Sequence, residues 1–510
     1  MTKSKEKIIF ILLTCSFFII AFLLLFFKSM NYYLIYDEHQ FIASAVLLSI
    51  KVLFPYRDYP YFHMPNLVFL YGFIYQFSDY LLLSARLFST ICATITLGLI
   101  FFTTSHLFKT IGYLNNFFIA AGSVILLITN YGFISTSGLS WNHDLPVLLT
   151  LAAFLTHCSG IRYEQNRYFF LSGLLIGFAI GTRLSFAPAL IPFYGVLALH
   201  QPKKDGKLLR SFCWFSLGVI ISLLPAILLF LVSSKKFLFD NLSYANLNTI
   251  YRQKTNYQVA MDTRGKLIYI YNILSTPSNA LLLLIFIYYS ITSKMHSGEN
   301  RKHRMEFAFI AILLPFLLIG ALAPTPSWPQ YFFVLIPFII VGIVYLMADS
   351  AISVGFLNRD TKLFLIVVML SMFYGIPHYL NSNYFGSPNR WVTTRVHKLG
   401  SYMAKVVGNG KILTLSPIFP LEGGLEIYEE FAVSPFAWRT ASLLTPKERK
   451  EFQFVAADDL EGFLQKKGLP RGILVGTEPD LEPPLINYAE KNEYFPLIMP
   501  QDKDLTLYER

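Results

Sequence analysis

The sequence predicts an α-helical polytopic membrane protein with a small soluble α/β domain at its C-terminal end. Of its 510 residues 54% are hydrophobic and only 14% charged, and the mean hydropathy is +0.50, which is too apolar for soluble domains of that size. Apolar runs long enough to cross a bilayer recur until about residue 379 and then stop, and beyond them Gly, Pro, Glu and Lys become more frequent.

The chain begins "MTKSKEK", followed by "IIFILLTCSFFIIAFLLLFF". That run is longer than the apolar region of a signal peptide and lacks a small-x-small cleavage site, so it reads as an uncleaved first span over 8–30 with its basic end in the cytoplasm. Further spans are expected at 84–108, 113–134, 145–160, 210–232, 267–293, 306–323, 331–349 and 361–379. The stretch 168–200 is too long for one helix, and "GTRLSFAP" in its middle reads as a break between two short ones. Basic clusters set the orientation: Arg162 and Arg167, "KKDGKLLR" at 203–210, "KMHSGENRKHR" at 294–304, and Arg359 with Lys362 are expected on the cytoplasmic side. Residues 31–63, 135–144, 234–266, 324–330 and the tail then lie outside, which demands an even number of crossings between 64 and 134. The short aromatic segment 64–77 is therefore read as a juxtamembrane or re-entrant helix, giving about eleven spans.

In the tail, "GKILTLSP" at 410–417 and "RGILVGTE" at 471–478 read as short buried strands and "PLINYAEKNEYF" as a helix beside them. The expected division is a membrane domain over 1–380 and a soluble domain over 381–510 on the outer face. The net charge of +11 fits cytoplasmic loops rich in Lys and Arg and gives no reason to expect nucleic acid as a partner. Cys15, Cys92, Cys158 and Cys213 are scattered singly, with the spacing of neither a disulfide framework nor a zinc cluster.

Four outer loops, together with the break around Arg183, carry residues capable of chemistry. "YLIYDEHQF" places Asp37, Glu38 and His39 side by side at the head of "DEHQFIASAVLLSIKVLF", whose spacing suggests a helix along the interface. On spacing alone the two acids serve equally well as a helix cap with its first turn or as catalytic groups. "FPYRDYPYFHMPN" adds Arg57, Asp58 and His63, and "SGLSWNHDLPVLL" sets His143 and Asp144 just before a span, where an acid caps the helix if it does nothing else. Arg183 interrupts "GLLIGFAIGTRLSFAPAL" at membrane depth, where an unpaired charge is costly; a phosphate would suit its planar fork, and snorkelling to water is the bland alternative. The long basic loop at 234–266 offers Arg252 to anionic headgroups, and "APTPSWPQYFFVLIP" offers Gln330 and Tyr331 beside Trp328, rings that anchor an interface or stack on a sugar.

Taken in order, the acidic pair after the first span, "PYRDYPYFHMPNLVFLYG", "SARLFS", "WNHDLP", "GLLIGFAIGTRLSFAP" and "PSWPQYFFVLIP" resemble the polytopic glycosyltransferases of the GT-C fold. Among these the chain is most similar to the bacterial relatives of protein O-mannosyltransferases and aminoarabinose transferases, over about 30–380. One departure is "HMPN", with one proline where many relatives carry a pair. The resemblance implies transfer of a sugar from a polyprenyl-phosphate donor to a hydroxyl of a glycan, lipid or protein acceptor on the outer side of a bacterial cell membrane, with inversion. It makes Asp37 the candidate base, Glu38 and Asp144 its acidic companions, and Arg183, helped by Arg57 or Arg252, the group that binds the departing phosphate. Asp58, His63, His143, Gln330 and Tyr331 are then expected to contact substrate. Mg or Mn held by Asp37, Glu38 and Asp144 would suit hard oxygen ligands, although the sequence does not require a cation. The competing readings are a transporter or flippase of lipid-linked sugar, which calls for internal repeats that are not seen, and an envelope assembly protein that binds through its tail.

Overall fold

The computed structural model describes residues 3–200, 206–256, 262–292, 301–354, 358–380, 386–500 and 502–510. In chain order the helices of the apolar part are α1 (Lys3–Asn31), α2 (Tyr36–Lys51), α3 (Asn66–Ile74), α4 (Leu81–Leu107), α5 (Tyr113–Ile128), α6 (Tyr131–Thr136), α7 (Asp144–Tyr163), α8 (Asn166–Thr182), α9 (Leu190–His200), α10 (Lys207–Val232), α11 (Ser234–Leu238), α12 (Tyr244–Lys254), α13 (Thr263–Leu274), α14 (Pro277–Thr292), α15 (Arg301–Leu322), α16 (Leu335–Val354) and α17 (Arg359–Gly375). Among the described residues seven helical segments are long and apolar enough to cross a membrane, and α13 with α14 would add an eighth. The expectation of about eleven also counted the shorter α5, α8 and α9, of 16, 17 and 11 residues, which fall below that length. This is an integral, multi-pass membrane protein.

The segment 64–77 forms only the nine-residue α3, too short to span, and it packs on α2. The expectation that 64–77 forms a short helix that does not span therefore agrees with the fold. Two expectations need correction. The span expected at 267–293 is bent by 84° between α13 and α14; Pro277 opens the second helix, and proline cannot continue the hydrogen bonding of the first. The expected span 113–134 ends at Ile128 and the chain then turns into α6, which Asn130 caps through Gly132 N at 2.8 Å. The charged stretch 294–304 lies only in part within the described residues, and the proposed domain boundary at 380/381 borders residues outside them.

Small residues bring α8 and α10 together. Gly173 and Gly177 lie one turn apart, and a Cβ at 173 would stand 2.0 Å from Phe215 O, while one at Gly218 of α10 would stand 2.2 Å from Phe170 O. The same row ends at Gly181, where a Cβ would meet Asn66 Nδ2 at 2.2 Å. Asn66 in turn donates to Ser222 O at 3.0 Å, so α3 is seated against the end of α8 and the body of α10. Gly173→Ala is expected to force the helices apart and lower stability by about 1–3 kcal/mol. Gly195→Ala on α9, where nothing stands within 4 Å, should have no such effect; thermal melting of both variants in detergent checks the contrast.

The tail adds α18 (Pro377–Leu380), α19 (Val392–Val407), α20 (Ile418–Glu422), α21 (Phe436–Ala441), α22 (Pro446–Phe452), α23 (Leu460–Lys467) and α24 (Pro483–Lys491) around a five-stranded sheet of order β2-β1-β3-β5-β4. Strand β1 (Lys411–Thr414) runs parallel to β2 (Glu426–Ile427) and β3 (Gly472–Val475), whereas β5 (Thr506–Glu509) is antiparallel to β3 and β4 (Phe495–Ile498). The central strand β3, "GILV", is buried throughout, as a strand covered on both faces must be.

This tail is not tethered loosely. Phe41, Tyr59, Tyr71 and Leu82 of the apolar part share one hydrophobic core with Val396, Phe419 and Phe452 of the tail. Glu422 accepts from Leu82 N at 2.7 Å, satisfying an otherwise unpaired donor at the start of α4, and its other oxygen meets His397 Nδ1 at 2.7 Å. Phe239 stacks on Phe452 at 3.8 Å, and His39 Nδ1 accepts from Ile418 N at 3.3 Å. Helix α2, expected to lie along the bilayer interface, is instead buried from Glu38 to Leu47, enclosed by α3 on one side and α20 on another.

Candidate active site

The site lies where α2, the turn before α7, the break after α8, α12 and α21 meet. Helix α8 ends at Thr182, Arg183 takes up an extended conformation, and a 3-10 helix, Leu184–Ala189, follows before α9. That break frees the Arg183 side chain from a helical face. Its Nε donates to Ser185 Oγ at 3.0 Å, its Nη1 stands 2.8 and 2.9 Å from the two ring nitrogens of His143, and its guanidinium lies 4.3 Å from the centre of the Tyr331 ring. Burial, followed by the charge of Arg183, holds the His143 imidazole well below its usual range, so at neutral pH it accepts from Arg183 and does not repel it. His143, Arg183, Ser185, Gln330 and Tyr331 line a narrow cleft.

His63 extends this cluster. Its ring stacks on Phe41 at 4.9 Å, Asn142 Nδ2 donates to its Nδ1 at 3.3 Å, and burial with the charge of Arg183 pushes its pKa down to about 3. Arg252 on α12 is laid over Trp328, 4.9 Å from the ring centre.

Asp37 is a half-buried acid whose charge acts on Arg183 and Tyr331 of this cleft. Its Oδ1 accepts from Gln40 Nε2 at 3.2 Å. Burial pushes its carboxyl up from the ordinary range, opposed by Arg439, then Arg183, and more weakly by Arg252. Three arginines from three parts of the chain therefore act on one carboxylate.

Glu38, the adjacent acid, is placed quite differently. It is fully buried and forms an ion pair with Arg86, Nη2 to Oε2 at 2.6 Å and Nε to Oε1 at 2.8 Å. Ser140 adds its N–H at 2.9 Å and its hydroxyl at 2.6 Å, and Ile35 N donates at 3.2 Å. The remaining donors of Arg86 go to the carbonyls of Ser29, Tyr32 and Tyr33 at 2.7, 2.8 and 3.0 Å. Every side of Glu38 is taken, so the expectation that it acts as base or metal ligand is corrected: it joins α1, α2, α4 and the 137–140 turn. Burial alone would raise its pKa, but Arg86 and Ser140 outweigh that and hold it below the usual range.

Asp144 is held through one of its two oxygens, and the other, Oδ1, has no hydrogen-bond partner. It is buried, and its Oδ2 accepts from Gly138 N at 2.8 Å, while Lys28 beneath it donates to Ser137 O at 2.8 Å. It organises the turn that carries Asn142 and His143. Among the described residues no three His, Cys, Asp or Glu side chains converge to hold an ion, so Asp37, Glu38 and Asp144 do not form the set expected for Mg or Mn.

Arg57 and Asp58 also leave the list. They pair with each other at 2.7 Å on the surface, Asp58 accepts from Phe54 N at 2.7 Å, and the Arg57 carbonyl accepts from Lys236 at 3.1 Å. They shape the tight loop Pro55–Tyr59 and its contact with the tail, where Gln453 donates to Asp58 O at 3.0 Å.

Sequence reasoning missed two groups of the tail. Arg439 on α21 donates from Nη2 to Asn248 Oδ1 at 2.8 Å and lies over Phe436 and Tyr251, 4.7 and 5.5 Å from the ring centres. Glu478, in the loop after β3, feels Arg439, and burial pushes its pKa up to about 7. The only sequence signal was an arginine set among aromatics in "PFAWRTA".

Residues 63–230 match the family model described as dolichyl-phosphate-mannose-protein mannosyltransferase. None of the curated proteins matches the chain in sequence. Among solved structures the chain is similar to ArnT from Cupriavidus metallidurans bound to undecaprenyl phosphate, with TM-score 0.58 and 12% identity, over 98% of this chain and 97% of that one. The apo state of the same protein matches with TM-score 0.56 and 11% identity, over 99% and 98%. The chain therefore has the GT-C fold along its whole length, tail included.

Proposed function

We propose that this protein is a membrane glycosyltransferase that moves a sugar from a polyprenyl-phosphate donor to an acceptor hydroxyl, with Asp37 as general base. The observation that carries the reading is a single half-buried carboxylate, Asp37, facing Arg183, Arg252 and Arg439 beside a cleft that Gln330 and Tyr331 close, within a GT-C fold. The match of 63–230 to a mannosyltransferase family model, and the undecaprenyl phosphate in the similar ArnT structure, support this class of donor.

In this mechanism the donor phosphate lies against Arg183, whose fork, kept rigid by Ser185 and His143, donates to the phosphate oxygens. An apolar surface of Ile273, Leu282, Phe332, Ile336 and Ile339 adjoins Tyr331 through Phe332 and offers side chains on which an isoprenoid chain would pack. Asp37 takes the proton of the acceptor hydroxyl as its oxygen attacks the anomeric carbon, the bond to the phosphate breaks, and the lipid phosphate leaves with the electron pair. Attack from the side opposite the phosphate inverts the configuration. Positive charge around the leaving group stabilises it most when the bond is breaking. The acids and arginines sit on the outer face, with the N-terminus in the cytoplasm and the tail covering the site from outside.

Arg183→Ala is expected to weaken binding of undecaprenyl phosphate by roughly tenfold to a hundredfold, the effect of losing charge-assisted hydrogen bonds of about 1.5–3 kcal/mol. Arg183→Lys should recover only part, since the ammonium keeps the charge without the fork. Titration calorimetry of the purified protein in detergent measures both, and equal affinity in wild type and Arg183→Ala refutes the assignment. Incubation with a panel of polyprenyl-phosphate sugars, followed by mass spectrometry of products, identifies sugar and acceptor together.

A further inference from the structure

Lys266 is the fourth residue of α13, a helix whose first turn Asp262 caps through Gly265 N. An ammonium so near the positive end of a helix opposes that helix's own dipole. The side chain reaches instead to the end of α15, donating to Leu322 O at 2.7 Å, Pro324 O at 3.2 Å and Thr325 Oγ1 at 2.8 Å. Three acceptors meet its three donors, so what fixes Lys266 is the turn that it holds.

Two further groups of the outer loop hold the same segment. Thr249 Oγ1 of α12 donates to Thr325 O at 3.2 Å, and Arg252, one turn on, lies over Trp328 at 4.9 Å from the ring centre. Tyr331 N then donates to Trp328 O at 3.0 Å in the first turn of the 3-10 helix Pro329–Val334. That short helix brings Gln330 and Tyr331 to the cleft, where the Tyr331 ring lies 4.3 Å from the Arg183 guanidinium. A lysine at the end of a helix often serves that helix alone. Two of these three bonds, however, go past Leu322 to Pro324 and Thr325, in the segment that leads to the cleft. Lys266 is not among the residues that line the cleft, so its influence there has to pass through the turn.

We propose that Lys266 is a positioning residue: by holding the turn at 322–325 it sets Tyr331 against Arg183 and so tunes the binding of the donor phosphate without touching it. The proposal rests on the glycosyltransferase reading, in which Arg183 binds that phosphate. Contiguity alone does not couple two groups, so the deciding measurement is the coupling between Lys266 and Arg183.

Calorimetry of the full chain in detergent, with undecaprenyl phosphate as the probe, supplies it. Lys266→Met is expected to weaken binding about fivefold, within the range seen for residues that act on a site through others. Lys266→Arg keeps donors for the same carbonyls and should recover most of the affinity. Arg264→Met removes an equal charge from an exposed neighbour and should change affinity by less than about twofold, because solvent screens it. With Arg183→Ala already in place, Lys266→Met should cost nothing more, since the group it positions is gone. Hydrogen exchange without ligand gives an independent reading: in Lys266→Met the amides of 330–334 should exchange about tenfold faster, while those of α8 keep their rates and show that the variant is folded. Equal affinity in wild type and Lys266→Met, an equal loss in Arg264→Met, or a loss of the same size in the absence of Arg183 overturns the proposal. Failure of the donor reading appears separately, as absence of undecaprenyl phosphate binding in the wild type; unchanged exchange at 330–334 in Lys266→Met then overturns the positioning role by itself.

Discussion

Asp37→Asn is expected to reduce sugar transfer by about 10²- to 10⁴-fold, the usual contribution of a positioned general base, with the melting temperature unchanged. Asparagine keeps the bond from Gln40, through its amide oxygen, and nearly the same volume, but cannot accept the acceptor's proton. The pH dependence gives a second test. A base works only when deprotonated, so activity rises with pH through the pKa of Asp37, and burial moves that limb above the ordinary carboxylate range. Arg439 is the strongest of the charges opposing the rise. Arg439→Gln should therefore shift the limb to still higher pH, a change that a purely structural arginine would not cause. Product formation from a polyprenyl-phosphate sugar across pH, in wild type and both variants, measures each effect. Full activity in Asp37→Asn would remove Asp37 from the mechanism.

Much of the fold could be read in the sequence because a membrane span is a local signal: each apolar run declares itself without reference to its neighbours. The 84° bend between α13 and α14 could not, since both halves are apolar and only Pro277 marks the break. The same limit governs the site. Arg183 stood out because an arginine at membrane depth needs a partner. By that rule Arg86 in "SARLFS" should have stood out as well, and pairing it with an acid at the start of α2 would have separated Asp37 from Glu38. What hid the pairing is that it is built from segments far apart in the chain, Arg86 lying 48 positions from Glu38 and Ser140 lying 102 positions from it. Arg57 and Asp58 misled for the opposite reason. Neighbouring opposite charges look functional in sequence, and here they are bonded mostly to each other and to the loop backbone. Arg439 and Glu478 belong to a tail whose docking no local pattern announces; hydrophobic residues from both parts make one core only after folding.

Breaking the Glu38–Arg86 pair is expected to affect stability as strongly as the Asp37 change affects chemistry. Glu38→Gln leaves Arg86 charged and buried with no carboxylate, and Arg86→Met leaves Glu38 in the same position; each should destabilise by about 3–5 kcal/mol. Replacing a buried pair by two apolar groups often restores stability, but here it should not. Arg86 also holds the carbonyls of Ser29, Tyr32 and Tyr33, and Glu38 holds the N–H groups of Ile35 and Ser140. In Glu38→Met/Arg86→Met these backbone groups lose their partners, at about 1–3 kcal/mol for each one left buried and unsatisfied. The double variant should therefore remain well below wild type, and a double-mutant cycle by thermal melting in detergent measures the coupling. The pair also sets a pH signature. The folded pKa of Glu38 lies below its unfolded value, so its contribution is present in full above the unfolded value and is lost as pH falls through the folded one. In Glu38→Gln that part of the acid sensitivity disappears with the carboxylate. A well-folded Glu38→Gln with transfer abolished would instead identify Glu38 as the base and reverse the assignment of the two acids.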